Sequence, residues 1–443
     1  MRLPHGPWPR LRDARRARLA YKGAAERDAL PGMTEITEVS SGVARTNDTR
    51  VISLVCSAHF ASHFFMLVLP PLFPFIKEFY GVSYTELGLA LTMYNVATAA
   101  CQTAAGFLVD RVGPRSVLVA GLVLGAVCLT VVGSIPSFWL LVGMYTVFGV
   151  SNAVYHPADY ALLSQLVSKE RAPQAFSYHI FAGFVGTAIA PASMLILQRW
   201  LGWQGAFLAA AVIGFVVALA LVVQPPALFE PAPKPARSAH EQRPGDKAGW
   251  SLLLSAPILL NLLFFVMITF ATTGLTNYSV VALGDAYGTP LALANSALTA
   301  NLALSAVGVL VGGYLAARVT KHALVAAVSF VGLALTCFAI GSADFGIVFL
   351  FTMMSINGFS NGLMQPSRDM IVRSVTPEGQ FGKVFGFVTT GFNIGGIFAP
   401  LVFGPVLDHG HPQWVFFMVG SMSVLAIVTI IPTFMRRSAA DRP

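Results

Sequence analysis

The sequence predicts an all-α membrane protein with twelve transmembrane helices in two pseudo-symmetric six-helix bundles. Three observations predict it. The 443-residue chain is 55% apolar and only 11% charged, where a soluble domain carries about 25% charged residues. Its apolar residues fall in runs as long as the ~20 residues that a bilayer core asks of a helix. One stretch of the first half also recurs, without a gap, in the second.

Residues 1–32 hold eight Lys/Arg against three Asp/Glu, which supplies +5 of the net charge of +8. The segment is Arg-, Ala- and Pro-rich and has no apolar core, so it lacks the pattern of a signal peptide. The pair Arg15-Arg16 likewise lacks the apolar stretch of an export signal. Met33, followed by the polar stretch Thr34 to Arg50, reads as the true start, with 1–32 an overlong gene assignment. The alternative is a disordered basic tail; N-terminal sequencing that found an intact residue 2 would exclude the first reading. Residues 1–50 are expected as a cytoplasmic tail. The remaining charge lies in loops between apolar runs, so the basic balance implies no nucleic-acid partner.

Apolar runs between loop punctuation place spans 1–6 at 51–76, 84–108, 116–133, 137–166, 173–200 and 203–224, an N-terminal bundle over 51–224. The Pro-, Ala- and charge-rich stretch 225–250 reads as a cytoplasmic linker. Spans 7–12 follow at 251–284, 290–316, 323–341, 345–373, 381–407 and 413–435, a C-terminal bundle over 251–435 with a tail at 436–443. Twenty Lys/Arg lie beyond residue 32, and an even number of helices puts eighteen of them on one side, with only Lys77 and Arg199 opposite. The positive-inside rule then sets both termini in the cytoplasm of a multi-pass inner-membrane protein. The four cysteines, Cys56, Cys101, Cys128 and Cys337, all fall within apolar runs without metal-like spacing and read as packing residues.

Residues 149–191 align with 358–400 at a constant offset of 209. Gly149, Ser151, Asn152 and Pro157 meet Gly358, Ser360, Asn361 and Pro366; Phe176, Gly186, Ala190 and Pro191 meet Phe385, Gly395, Ala399 and Pro400. Eight matches in 43 positions are few, but Gly, Pro and Asn set helix bends and close contacts. Parallel repeats about an axis along the membrane normal are a known design of membrane carriers.

The loop after span 2 reads Gly106-Phe-Leu-Val-Asp110-Arg111-Val-Gly113-Pro-Arg115, and its counterpart in the second half is Gly313-Tyr-Leu-Ala-Ala317-Arg318 with the acid lost. This loop resembles the signature loop of the major facilitator superfamily, and the resemblance extends over residues 50–435. It implies a monomeric carrier that moves a small molecule across the lipid bilayer by alternating access. Gly106 and Gly113 are expected to permit a tight turn. Asp110 is expected to pair with basic residues or to cap the N-terminus of a neighbouring helix, which the resemblance implies is span 11, where backbone N–H groups lack partners, with Arg111 and Arg115 beside it in the gating loop. That contact would lock the halves on the cytoplasmic side. Gln165 stands where the family often has an acid low in span 4. Tyr155-His156-Pro157 resembles the fosmidomycin-resistance branch, which is associated with drug efflux. Gly186-Thr-Ala-Ile-Ala190-Pro191 resembles the antiporter Gly-Pro signature, with Ala190 where Gly is usual and Ala192-Ser193 replacing the following glycine pair.

Ionisable groups deep in a membrane helix are costly and so mark function. His59 and His63 are spaced i, i+4 on one face of span 1. They read as proton or substrate contacts, as packing residues, or as metal ligands without an evident third partner. Asp159 lies ten residues before Lys169, about 15 Å from the end of span 4 in a regular helix. Its repeat partner is Arg368 in span 10. The resemblance implies a cavity lined by spans 1, 4, 7 and 10, so Asp159 and Arg368 are expected to pair when the cytoplasmic side closes; the alternative is local pairing, for Arg368 with Asp369. His156, His179, Asn152 and Asn361 are secondary candidates, and Arg373 reads as an anchor at the membrane edge.

No Gly-rich nucleotide loop ending in Lys-Ser/Thr is present, and no cofactor is expected. Secondary active transport coupled to protons is therefore the first reading, because titratable His and Asp are available. Export of drugs or metabolites is expected, with uptake of a small organic anion as the alternative. An intramembrane metalloenzyme would need several His clusters, whereas His59 and His63 are the one i, i+4 pair among nine histidines. A membrane sensor would need a soluble output domain, and the sequence shows none.

Overall fold

The computed structural model describes residues 31–168, 171–229, 250–316, 318–319, 321–376 and 381–440. The tail at 1–30, the linker over 230–249, Lys169 and residues 441–443 lie outside them. The chain divides into two units, residues 1–51 and 52–443, and the functional groups all lie in the second.

Every described span is helical. The first helix, Pro31–Met66, starts well ahead of the apolar run, so residues expected as tail are helical. Pro70 and Pro71, which cannot donate to a helix ladder, break span 1 into that helix, a single 3-10 turn and the short helix Phe73–Tyr80. Gly81, at φ +66°, ends it in the left-handed conformation. Ser83 and Glu86 then form a reciprocal capping box that starts span 2, Tyr84–Val112. Gly113, at φ +94°, turns the chain directly into span 3, Pro114–Ser134. Gly106 lies inside the span 2 helix, so only Gly113 makes the expected tight turn.

Span 4 breaks into Phe138–Asn152 and Tyr155–Leu166. Pro157 cannot donate to the carbonyl of Ala153, and the break falls there. Spans 5 and 6 form one continuous stretch, Ala172–Val222, bent at Gly202, whose φ is +71°. Spans 7–12 are Ala256–Tyr287, Leu291–Ala316, His322–Ser342, Ile347–Val375, Phe381–Asp408 and Gln413–Ala440. Among the described residues nine helical segments are long and apolar enough to cross a membrane. One of these holds spans 5 and 6, and the more polar span 2 and the shorter apolar Gln413–Thr429 complete twelve.

The repeat has a structural counterpart. A Cβ on Gly149 would lie 2.2 Å from the Tyr94 carbonyl of span 2, and one on Gly358 would lie 1.9 Å from the Asn301 carbonyl of span 8. A Cβ on Gly186 would meet the Phe60 carbonyl of span 1 at 2.3 Å, and one on Gly395 the Val266 carbonyl of span 7 at 2.6 Å. The Asn152 amide donates to Thr98 at 3.5 Å, and Asn361 donates to Ser305 at 3.3 Å. Spans 4 and 10 thus seat on spans 2 and 8 in the same way, and spans 5 and 11 on spans 1 and 7. Glycine is required at these positions because two backbones come closer than any side chain allows.

The two bundles meet mainly along spans 2 and 11, and span 8 packs on the long helix of spans 5 and 6. Asn393 donates to Gln102 at 3.0 Å, and Thr92 to the Ile397 carbonyl at 3.2 Å. At the end of this seam Asp408 accepts from the Tyr84 and Thr85 backbone N–H groups, both at 2.8 Å, with Lys77 Nζ 3.8 Å away. A carboxylate from one bundle therefore caps the helix N-terminus of the other.

Candidate functional site

Pro157 and the break before it rotate the second half of span 4 so that Asp159 points into the bundle, fully buried. Its Oδ2 lies 3.2 Å from Nδ1 of His59 on span 1 and 3.1 Å from Nε2 of His179 on span 5. Both imidazoles are buried, and their rings stack with centroids 3.5 Å apart. Gly183, one turn beyond His179, permits this approach: a Cβ there would lie 2.8 Å from His59 Nε2.

Two further histidines extend the group. His63 has its ring 4.5 Å from that of His59, and its Nδ1 lies 3.1 Å from the Thr187 hydroxyl. That hydroxyl donates to the Gly183 carbonyl, so it accepts from His63, which fixes His63 as the Nδ1–H tautomer. His156 lies 5.4 Å from His59, ring to ring, and is exposed, stacked on the equally exposed Tyr160. Tyr160 also lies 5.5 Å from His179, ring to ring, and forms the exposed edge of the cluster.

The chemistry follows from the donors. An ionised Asp159 that accepts from both imidazoles leaves its own Oδ1 and the Nδ1 of His179 as buried polar atoms without a hydrogen-bond partner. A buried carboxylate held by two neutral imidazoles carries one negative charge, and a proton on either unbonded atom cancels it. The unbonded Oδ1 of Asp159 and Nδ1 of His179 are therefore atoms at which the cluster can hold one further proton. His59, Asp159 and His179 also bring three ligand atoms within 4.8 Å of one another, close enough for a cation. However, each imidazole already bonds the same oxygen, and the two rings lie nearly face to face, tilted by 24°. A metal would have to lie in the plane of both rings, which requires that stack to open. The arrangement suits a shared proton better than an ion.

Arg368 does not meet Asp159 here. Its Nε donates to Asp369 at 2.9 Å, the local pairing given above as the alternative; the long Arg side chain turns back to reach it. The guanidinium rests on the rings of Phe265 in span 7 and Phe392 in span 11, at 4.9 and 5.3 Å. Such contacts contribute about 1–2 kcal/mol when shielded from water.

The loop residues fall into three places. Asp110 and Arg111 are exposed, and Asp110 has no hydrogen bond or ion pair among the described residues. Gly106 and Asp110 line one groove with Pro157 and Ala161. Arg115 instead donates to the Leu221, Val222 and Gln224 carbonyls at 2.7 to 3.0 Å, capping the end of span 6 within its own bundle. Of the residues singled out from the sequence, the structure gathers His59, His63 and Asp159 with His156 and His179, both secondary candidates in the sequence. Phe265, Phe392 and Asp408 carried no signal in the sequence, since their roles arise only where spans meet.

The model of the Major Facilitator Superfamily matches residues 55–282 and again 262–443. The probable L-galactonate transporter of Escherichia coli is 25% identical over 32% of each chain, so the match spans about a third of that relative. The probable sulfoacetate transporter of Cupriavidus necator is 26% identical over 81% of this chain and 87% of its own. A multidrug resistance efflux pump homologue of Lactococcus lactis is 24% identical over 85% and 91%. The crystal structure of a bacterial homologue of the human lysosomal transporter Spinster, inward-facing and occupied, superposes with a TM-score of 0.70 at 13% identity, covering 86% of this chain and 96% of that one.

Proposed function

The chain belongs to the Major Facilitator Superfamily, whose members are secondary transporters and not enzymes, and from that premise we propose that it couples proton movement to the transport of a small organic solute. The carrying observation is Asp159, fully buried, bonded through one oxygen to His59 and His179 and leaving the other unbonded. The cluster takes up and releases one proton as alternating access exposes it to either side. His156 and Tyr160 are its path to the space between the bundles. The Lys/Arg distribution supports an inner-membrane carrier with both termini in the cytoplasm, working as a monomer, its halves joined by the 225–250 linker.

Two solute classes are supported. Organic acids are favoured by the likeness to L-galactonate and sulfoacetate transporters. Drug efflux is supported by Tyr155-His156-Pro157, by its resemblance to the fosmidomycin-resistance branch, and by the likeness to the lactococcal efflux pump homologue.

Purified protein in vesicles loaded with a pH-sensitive dye tests the coupling. A gradient of a transported solute is expected to move protons with it. Asp159→Asn is expected to lower proton flux by about 100-fold, the scale on which positioned proton-transfer groups act, while leaving solute exchange measurable. Undiminished proton flux in Asp159→Asn would remove the cluster from the mechanism.

A further inference from the structure

We infer that Arg368 is the recognition group for the solute, and that the solute is therefore a small organic anion with a carboxylate or sulfonate head. The inference rests on the carrier reading above and adds the ligand class and the coupling sign. Arg368 spends only its Nε–H on Asp369. Its two terminal nitrogens have no partner among the described residues, although the side chain is only 12% exposed. A guanidinium carries its remaining donors as a rigid planar fork that matches a carboxylate or sulfonate through two parallel bonds. The rings of Phe265 and Phe392 fix the plane of that fork, because the group lies against both. Asp369, by contrast, is 46% exposed and holds the guanidinium only from the Nε edge. It keeps the site neutral when empty without covering the fork.

Placement supports the assignment. Arg368 stands at the position of span 10 equivalent to that of Asp159 in span 4, so the two groups lie at the same depth of their bundles, and Tyr160, next to Asp159, is exposed. Tyr160 also borders His156 and His179, with ring centroids 5.9 and 5.5 Å away. An anion seated on Arg368 therefore faces the proton cluster. A negative solute and a positive proton attract across this low-dielectric space. Each raises the affinity for the other by the same factor. Sites that fill together move their ligands together, so the coupling is symport.

Binding to the purified full-length protein in nanodiscs tests this, with a panel of small monocarboxylates and monosulfonates that includes L-galactonate and sulfoacetate, and organic cations for comparison. At least one anion and no cation is expected to bind. Arg368→Lys, which keeps the charge but loses the fork, is expected to weaken that anion about tenfold, and Arg368→Gln more. Asp369→Asn is expected to bind it at least as tightly as the native chain. Asp159→Asn is expected to retain anion binding, which separates this site from the proton site. Native affinity in a folded, monodisperse Arg368→Gln protein overturns the assignment, as does binding of cations alone or of nothing in the panel. Anion binding that needs Arg368 but moves no protons would sink the coupling and leave the recognition site standing.

Discussion

Spans 1, 4 and 5 hold a carboxylate against two stacked imidazoles, whereas spans 7, 10 and 11 hold a guanidinium against two phenyl rings. Asp159 and Arg368 occupy equivalent positions of the two repeats, and the helices that supply their neighbours are equivalent as well. The same scaffold thus carries opposite charges in unlike surroundings. The carboxylate leaves one oxygen unbonded, where a proton can be held, so the first site is able to change its charge. Phenyl rings do not titrate and a guanidinium stays protonated, so the second site keeps its charge. On the proposal made above, the difference separates the group that is loaded with a proton from the group that receives an anion.

The strongest way to break this comparison is to exchange the charges. Asp159→Arg with Arg368→Asp is expected to remain inactive in vesicle transport, like each single change, because the imidazole pair cannot host a guanidinium and the phenyl pair offers a carboxylate no donor. Restored transport would mean that the two charges meet directly in another conformation, as the sequence alone suggests. A smaller effect tests whether the repeats are mechanically alike. Gly149→Ala and Gly358→Ala each force a Cβ against a backbone carbonyl, and each is expected to destabilise by about 1–3 kcal/mol. Thermal unfolding in detergent should show similar losses; a change in only one would set the halves apart. The smallest expected effect is for Arg115→Gln, which removes a cap on span 6 and costs about 0.5–1 kcal/mol with transport unchanged. A large loss of transport in that variant would return Arg115 to the gating machinery.

Much of the fold was legible because membrane helices declare themselves by length and apolarity. The ends of spans 3, 8, 9 and 11 fall within a few residues of the apolar runs. The repeat was legible through Gly149, Asn152, Gly358 and Asn361, whose small or amide side chains have few other reasons to recur. What escaped was anything set by the meeting of distant segments. Span 4 reads as one run, yet Pro157 splits it, and that split turns Asp159 toward His179. His59 and His63 were visible as a pair, but their partners come from spans 4 and 5. Arg368 pairs with Asp369 in this structure, the local alternative read from the sequence, while its pairing with Asp159 is expected only when the cytoplasmic side closes.

Spans 2 and 11 run antiparallel along the seam, and each ends in an aspartate, Asp110 and Asp408. Asp408 is fastened to the start of span 2, while Asp110 stands exposed at the far end. If Asp110 caps span 11 once the far end closes, every rocking motion unfastens one carboxylate as it fastens the other. The two orientations of the carrier would then lie at nearly the same depth, like the two rest positions of a toggle. Ordinary thermal agitation would suffice to throw it, and neither orientation would become a trap. Removing one fastener, as in Asp408→Asn, should leave the toggle resting on the opposite side, which labelling of cysteines placed along the seam would read directly.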